Sequence, residues 1–501
     1  QLNFRKRING YPLFLTNNLI FVMTSLFGVT YLNSSHPIPA VLHEATLYLF
    51  WMRFPMLFIP AQFLIIEMVF FDGDERLSSL ACTVEGVGHV ILSTILSHYF
   101  GISGIGFSSF IFMLISLLIL FTHYFKANST LHPIMHFSGV LMAKTLRYSI
   151  IDASSNLFIS VSAALLNVFL GTYFGPKYLI LVSVFLFGRE LEMIFDGIGE
   201  AISPIISIYI GELCTPGVKR IYTLAEKTSI LEGVVVTIIL FISASFIPEV
   251  LGIKDPYIVL LAKSELRITA FASVFVSLIY LLTSYYKLIE RIYLGLFVTA
   301  LRDVLLAIPV IVVCGILFGV YGVFAGMLLG PVLAWFMTMA YLQLRYKEDA
   351  PLFLGRLSKE GNVLLYDMII EPEYIIEIRD RIENDLKTCS CDSFTINRTR
   401  LLFEELFMYI HEQNPEKTLQ GECILQLRED SIRMITRDNG KKLDLTDPDL
   451  KVECLRSYVI SNISQNVSSK RHHLVSMSLN RNVFVVKCEE GFPPYSKEYH
   501  L

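Results

Sequence analysis

A change of solvent partway along the chain constrains this sequence most. From about residue 11 to 343, apolar runs of about 20 residues follow one another, broken by short polar turns. From about residue 355 onward the chain is charged and mixed. A run of about 20 apolar residues spans a bilayer core about 30 Å thick. The pattern therefore predicts a polytopic helical bundle followed by a water-soluble domain. Composition fits this split: 53% of residues are hydrophobic, yet the chain carries 41 basic and 45 acidic side chains, many of them beyond residue 344. The net charge of -4 averages two unlike environments and says little about partners.

Ten spans are expected, at about 13–33, 46–71, 78–100, 103–125, 141–171, 177–210, 228–252, 265–287, 290–316 and 319–343. One alternate set of loops carries Arg5, Lys6, Arg7, Arg76, Lys126, Lys144, Arg147, Lys219, Arg220, Lys227, Lys287, Arg291, Arg345 and Lys347. The other carries only Lys177, Lys254, Lys263 and Arg267. The positive-inside rule makes the first set cytoplasmic and returns the C-terminal domain to the cytoplasm of a cell (inner) membrane. Gln1 without a preceding secretory signal reads as the start of a fragment. Cys389 and Cys391 have the wrong spacing for a CxxC site, and the eight cysteines read as reduced and structural.

The chain repeats itself. Phe100-Gly101-Ile102-Ser103-Gly104-Ile105 returns as Phe318-Gly319-Val320-Tyr321-Gly322-Val323, an offset of 218. Glu75-Arg76 returns as Glu290-Arg291, an offset of 215. Aligned on these offsets, the second half has six helices and the first shows four, which predicts two more upstream in a 6+6 arrangement. Internal repeats of this kind are typical of secondary transporters, whose substrate site lies between the halves near the midplane.

These features resemble the multidrug and toxic compound extrusion (MATE) family, within the wider group that includes lipid-linked oligosaccharide flippases. The resemblance rests on Phe71-Asp72-Gly73-Asp74 after a span, then Gly101-x-x-Gly104-Ile105, Asn167-x-x-x-Gly171, and Gly197-Ile198-Gly199-Glu200-Ala201-Ile202-Ser203-Pro204 running into Gly211-Glu212. It covers about residues 10–345 and implies transport by alternating access. The family's first two helices, where bacterial members usually hold a cation-binding acid, have no counterpart in this sequence.

An ionisable side chain inside a span is costly and marks function by default. Asp152 sits early in the fifth span with Asn156 one turn on, on the same helix face. It either binds a coupling cation or proton, or is simply solvated at the cytoplasmic end. Arg189, Glu190, Glu192, Asp196 and Glu200 share one span. Arg189, Glu192 and Asp196 follow i, i+3, i+7, and Glu200 continues the stripe at i+11. Such a stripe faces a partner helix or a wet cavity, not lipid. Glu192 and Asp196 then either exchange a cationic substrate for H⁺ or Na⁺, or form a structural ion network with Arg189. Arg53, Glu67, Glu85, His89, Arg302 and Asp303 are further intramembrane charges, and adjacency should point Arg302 and Asp303 in different directions. Tyr280, Tyr285 and Tyr286 read as an interfacial aromatic belt or as the lining of a cation path.

Beyond the spans, Asn362 to Ile370 predicts a strand, and Glu373 to Asp385 and Asn397 to Glu412 predict helices. Glu422 to Leu427 and Ser431 to Thr436 predict a hairpin. A helix over about 450–465 and a final hairpin, about 473–478 and 482–488, complete a two-layer α/β sandwich. This order resembles the histidine-kinase-like (GHKL) ATPases, nearest the anti-sigma-factor serine kinases. Leu402-Phe403-Glu404-Glu405-Leu406-Phe407-Met408-Tyr409 stands at the first nucleotide box, Arg437-Asp438-Asn439-Gly440 at the Asp-x-Gly box, and Asn480-Arg481 near the final strand. The resemblance implies that Asp438 accepts from an adenine amino group, that Gly440 lets the backbone approach the base, and that Glu405 stands at the general-base position. Tyr409 replaces the magnesium-holding Asn, and Leu455-Arg456-Ser457-Tyr458 replaces a glycine-rich lid. A phenol is a poor magnesium ligand, so a non-catalytic regulatory role outranks ATPase or kinase chemistry. Asp438-Asn439-Gly440 is also a common turn sequence.

The fold class expected is thus an α-helical polytopic bundle of about ten spans in two repeated halves, followed by the sandwich. The expected domains are 1–140 and 141–346 for the two halves, 347–360 as linker and 361–501 as the ATPase-like domain. The expected function is an H⁺- or Na⁺-coupled multidrug or organic-cation antiporter, a transporter and not an enzyme, with ATP or ADP as ligands of the C-terminal domain and no metal site. Its expected partners are the lipid bilayer, small organic cations or other amphipathic substrates, and a cytoplasmic regulatory protein, with no nucleic acid. A lipid-linked saccharide flippase and a membrane-bound anti-sigma-type kinase or sensor are the alternatives. No G-x-x-x-x-G-K stretch supports a P-loop motor.

Overall fold

A computed structural model describes residues 7–9, 39–126, 129, 131–134, 139–347, 350–355, 362–415, 417–428, 430–443, 445, 460, 463–474 and 477–488. The expected span at 13–33 lies outside these residues, as does most of the expected helix at 450–465. The chain divides into two compact units, Gln1–Thr145 with His473–Ser476, and Leu146–His472 with Met477–Leu501.

In the first unit, β1 (Arg7–Asn9) pairs in parallel with β2 (His132–Ile134). Helices α1 (Pro39–Phe71), α2 (Glu75–Phe100) and α3 (Ile102–Phe121) pack together, with Val69, Ala81, Leu120 and Leu131 in a common core. His123, buried just beyond α3, lies 2.9 Å from both Asp72 and Asp74, and Lys126 Nζ lies 2.5 Å from Asp74. Burial alone would raise the Asp74 carboxyl, but the hydrogen bonds from Lys126 and His123 outweigh it and hold it below its usual range.

The second unit takes in most of α4 (Gly139–Phe169), then α5 (Ile180–Leu191), α6 (Asp196–Gly211) and α7 (Thr215–Ser243). Helices α8 (Pro256–Ala270) and α9 (Ser273–Leu288) meet at a bend of 52°. The bend frees the Ala270 carbonyl, and Thr237 on α7 donates to it at 2.9 Å. Next come α10 (Ile292–Ala300) and α11 (Ala307–Tyr346), the latter interrupted at Gly319. By length and hydropathy, five described helices can cross a membrane, or six with the bent pair. The ten-span expectation is larger for three physical reasons. Ile292–Tyr346 runs as one stretch although Gly319 breaks it into two predicted spans. A 3₁₀ turn at Glu192–Phe195 divides the span at 177–210. The first half of α7 carries Lys219, Arg220, Glu226 and Lys227.

The repeat is visible in the backbone. Gly101 (φ 59°, ψ -142°) and Gly319 (φ 69°, ψ -152°) adopt one conformation at equivalent turns, open to glycine and strained for other residues. A Cβ on Gly104 would lie 2.4 Å from the Leu96 carbonyl oxygen, and one on Gly322 would lie 2.0 Å from that of Cys314. Both glycines therefore let consecutive helices meet backbone to backbone. Gly322→Ala is expected to cost about 1–3 kcal/mol through overpacking. Gly86→Ala, where nothing lies within 4 Å, should leave thermal unfolding in detergent unchanged or raise it. Equal losses from the two substitutions would refute the close approach.

A second turn, seen also at Gly252 and Ser390, leads directly into the next helix at three places among the described residues. Gly73, Leu213 and Glu290 have φ of 91°, 55° and 58°. Each donates to the carbonyl three residues back, and the next residue donates five back: Asp74 to Val69, Cys214 to Tyr209, Arg291 to Tyr286. This is the Schellman close of one helix, followed at once by the next helix. It pairs Gly73 with Glu290, an offset of 217, so Arg291 matches Asp74 and not Arg76 as the matching Glu-Arg dipeptides suggest.

The C-terminal sheet has the order β3-β4-β5-β7-β6, with β3 Asn362–Ile369, β4 Gln420–Arg428, β5 Ser431–Asp438, β6 Gln465–Leu474 and β7 Met477–Lys487. The pairs β3–β4, β4–β5 and β5–β7 are antiparallel. Helices α12 (Pro372–Thr388) and α13 (Ser393–Glu412) supply Ile375, Ile382, Phe403 and Phe407 to a core shared with Tyr366, Leu425, Met434 and Phe484 of the sheet. The final hairpin departs from expectation. Its strands run Gln465–Leu474 and Met477–Lys487, so β6 begins where a helix was expected to end. Asn480-Arg481 was expected in the turn on polarity, but both lie in β7, with Asn480 buried and in-facing as is Asn482.

Candidate functional site

In the second unit, Arg302 and Asp303 lie in a π-helical turn, Leu301–Leu305, between α10 and α11. That turn overturns the expectation that adjacent residues diverge. Arg302 donates from Nε to Asp303 Oδ1 at 2.7 Å and from Nη2 to Oδ2 at 2.9 Å. Arg189 Nη2 donates to the same Oδ1 at 2.7 Å. Arg189 also lies 2.8 Å from Glu192, an ion pair without hydrogen-bond alignment. The Arg302 guanidinium sits 4.4 Å from the centre of the Tyr280 ring, a cation–π contact. Ser162 on α4 donates to the Asp303 carbonyl that the π turn frees. Ile159, Ser162, Phe185, Arg189, Arg302 and Asp303 line part of a cavity of about 30 Å³, room for a water. Arg302 is about 15 Å along its helix from Ile292, the start of an apolar stretch long enough to cross a membrane.

The predicted acidic stripe divides here. Arg189 and Glu192 belong to this cluster, whereas Asp196 and Glu200 are exposed on α6. The 3₁₀ turn between α5 and α6 rotates the later residues off the stripe. Asn156 is exposed on α4, and the side chain of Asp152 lies outside the described residues. Tyr285 and Tyr286 form no aromatic belt at a lipid surface. Both are fully buried, Tyr285 donating to the Leu352 carbonyl at 2.7 Å and Tyr286 packing on Phe353.

The sequence pattern does not single out Glu265. It starts a span at residue 265, which would leave this carboxyl at an interface. The helix begins at Pro256 instead, capped by Asp255 accepting from the Tyr257 amide at 2.9 Å. Glu265 is 1% exposed, and neither carboxylate oxygen has a hydrogen-bond partner. Its neighbours on α8, Leu261, Ala262 and Leu266, belong to a core with Leu166, Val182 and Ile311. A lone carboxylate in such surroundings is among the costliest groups a protein holds, unless a proton or cation accompanies it. In the first unit, Gln62 donates to Ser116 Oγ at 2.9 Å and to Glu85, and Ser109 meets His89 at 2.8 Å. The turn equivalence puts Glu85 at the position Arg302 holds in the second unit.

In the C-terminal domain, Asp438 Oδ1 accepts from Asn480 Nδ2 at 2.8 Å and from the Gly440 amide at 2.9 Å. Oδ2 is buried without a partner. Burial raises this carboxyl above its usual range, against the hydrogen bonds from Asn480 and Gly440. A Cβ on Gly440 would lie 2.9 Å from Asp438 Oδ1, so glycine is needed for crowding as well as for any approaching ring. Glu405 is half-buried on α13, and Tyr409 is buried. Among the described residues no group of three metal-ligating side chains comes together.

No family model matches the sequence, and no curated protein matches it. Solved structures match its fold. A MATE crystal structure in complex with MaL6 is 17% identical, with a TM-score of 0.59, covering 70% of this chain and 78% of that one. A MOP superfamily transporter from Pyrococcus furiosus, whose description reports a binding pocket of reversed polarity, is 16% identical at a TM-score of 0.60, covering 66% and 76%. An outward-facing multidrug resistance MATE transporter is 16% identical at 0.58, covering 70% and 79%. The helical part therefore has the membrane-transporter fold of these MATE structures, and a small antiparallel sheet follows it. The likenesses extend no ATPase family to that sheet.

Proposed function

We propose that this chain is a secondary active transporter, an H⁺- or Na⁺-coupled antiporter of organic cations working by alternating access. The observation that carries the reading is Glu265, a fully buried carboxyl with no partner, on a helix bent just beyond it in a transporter fold. A group in that state gains most from binding a proton or Na⁺ and has least to hold it charged without one. Glu192, favoured with Asp196 on sequence grounds, is the weaker carrier because Arg189 already compensates it. The Arg189–Asp303–Arg302 cluster is a buried ionic frame. The C-terminal domain is a regulatory module on the cytoplasmic side, with Asp438 and Gly440 as a degenerate nucleotide-binding site.

Proteoliposomes without ATP test this. Ethidium should accumulate only when a pH or Na⁺ gradient is imposed, and collapse of the gradient should abolish uptake. Uptake that requires ATP, or none under either gradient, would refute the antiporter.

A further inference from the structure

The paired ends of β5 and β7 carry two different sites on their two faces. The register sets Arg437 opposite Arg481 and Asp438 opposite Asn480. Strand residues alternate between faces, so the arginine pair and the Asp–Asn pair point opposite ways. On the helix-covered face, Asp438 and Asn480 are joined by a hydrogen bond, and Thr436 and Asn482 lie beside them. Asp438 Oδ2, Asn482 Nδ2 and Thr436 Oγ1 are buried without partners, in residues 0–1% exposed. That strip offers an unused acceptor, an unused donor and a hydroxyl. Its complement is a heterocycle edge with an N–H beside a ring acceptor.

The other face seats on the turn between α6 and α7. Ile424, Ile435 and Val483 enclose Cys214 in an apolar patch. Arg481 donates to Glu212 Oε1 from Nε at 3.0 Å and Nη2 at 2.8 Å, and Arg437 grips Glu212 Oε2. Arg437 also pairs with Glu422, which accepts from Tyr209, and Gln426 donates to the Glu212 carbonyl. A carboxylate held by two arginines is a strong, geometry-specific anchor. The anchored turn is a strained one, with Leu213 at a φ of 55°, where its two counterparts have glycine and glutamate.

We propose that the ends of β5 and β7 are a two-faced coupling element: a heterocyclic ligand offering an N–H to Asp438 is read out as a changed hold on Glu212, at the α6–α7 turn of the transporter. The ligand class rests on the nucleotide-site reading of Asp438 and Gly440, but the coupling does not. Each clamp arginine is the chain neighbour of a ligand-face residue, so a shift of one strand end moves both faces.

Hydrogen exchange on the purified full chain in detergent tests it, read at the Leu213 and Cys214 amides, with Mg-ADP as probe and its binding followed by equilibrium dialysis. Glu212→Gln should speed exchange there by about five-fold or more, since a loss near 1 kcal/mol is a factor of five. Asp438→Ala should speed it comparably, although it touches no residue of the turn. Asp438→Asn, isosteric and still hydrogen-bonded, should fold where the alanine variant fails and should show the same effect in smaller degree. Unchanged protection in β3 marks a variant as folded. Mg-ADP should shift exchange at the turn in wild type and not in the Asp438 variants. If Mg-ADP does not bind while the Asp438 variants still loosen the turn, the coupling stands and the nucleotide reading falls. If Glu212→Gln loosens the turn but the folded Asp438 variants do not, or if bound Mg-ADP leaves it unchanged, the coupling is overturned.

Discussion

Asp303→Ala is expected to destabilise the second unit by about 3–5 kcal/mol, a larger loss than overpacking at Gly322 would bring. Asp303 is the shared counterion of Arg189 and Arg302, all three buried, with Arg302 and Asp303 inside the apolar stretch Ile292–Tyr346. Removing it takes the hydrogen-bonded carboxylate from Arg302 and leaves Arg189 only its ion pair with Glu192. Arg302 keeps its contact with the Tyr280 ring, which offsets about 1–2 kcal/mol at most. Adding Arg189→Met should recover part of the loss, because the Arg189–Arg302 repulsion across the missing carboxylate is then gone, although Glu192 loses its partner. Thermal unfolding of the purified protein in detergent gives the comparison. An Asp303→Ala variant that unfolds like wild type, or a double variant less stable than the single by a further full increment, would show that these residues do not act as one network.

Glu265→Gln is expected to separate stability from transport. The amide is nearly isosteric, and no hydrogen bond to the carboxylate is lost, since neither oxygen has a partner. The melting temperature should therefore hold or rise, because a buried group that becomes charged is replaced by one that does not. Gradient-driven ethidium uptake should fall at least tenfold, about 1.4 kcal/mol or more of lost coupling, while ethidium binding to the purified protein persists. A Glu265→Gln variant with full gradient-driven uptake would remove Glu265 from the mechanism and return weight to Asp152, Glu192 and Asp196.

Much of the fold was legible because its signals are local. Hydropathy marks the helices, and the spacing of Gly101 with Gly104 and of Gly319 with Gly322 marks two turns where helices meet at their backbones. The charged cluster was legible residue by residue but not as a cluster. An ideal helix keeps Arg302 and Asp303 apart and keeps Arg189, Glu192 and Asp196 in line, and it takes a π turn and a 3₁₀ turn to do the reverse. Nothing in the residue types announces either turn. Glu265 was hidden by the position of a helix start, since Lys254, Lys263 and Arg267 make the segment look like a loop. The docking face of the sheet was hidden because both faces are covered, so β4 and β5 read as continuous core. The usable signal was Arg437 and Arg481, charged residues between buried neighbours on adjacent strands. Asn480 misled for the opposite reason, as a buried polar residue that falls in the expected turn between 478 and 482.

The central claim is that one site exchanges an organic cation for a proton or sodium ion. The direct measurement is ion release when ethidium is added to the purified full chain, followed in weakly buffered detergent with a pH indicator and in parallel with ²²Na⁺-loaded protein. Ethidium binding is predicted to expel about one proton or one sodium ion per chain, and Glu265→Gln is predicted to bind ethidium and expel neither. Ethidium binding that releases neither ion from the wild-type chain would contradict the account.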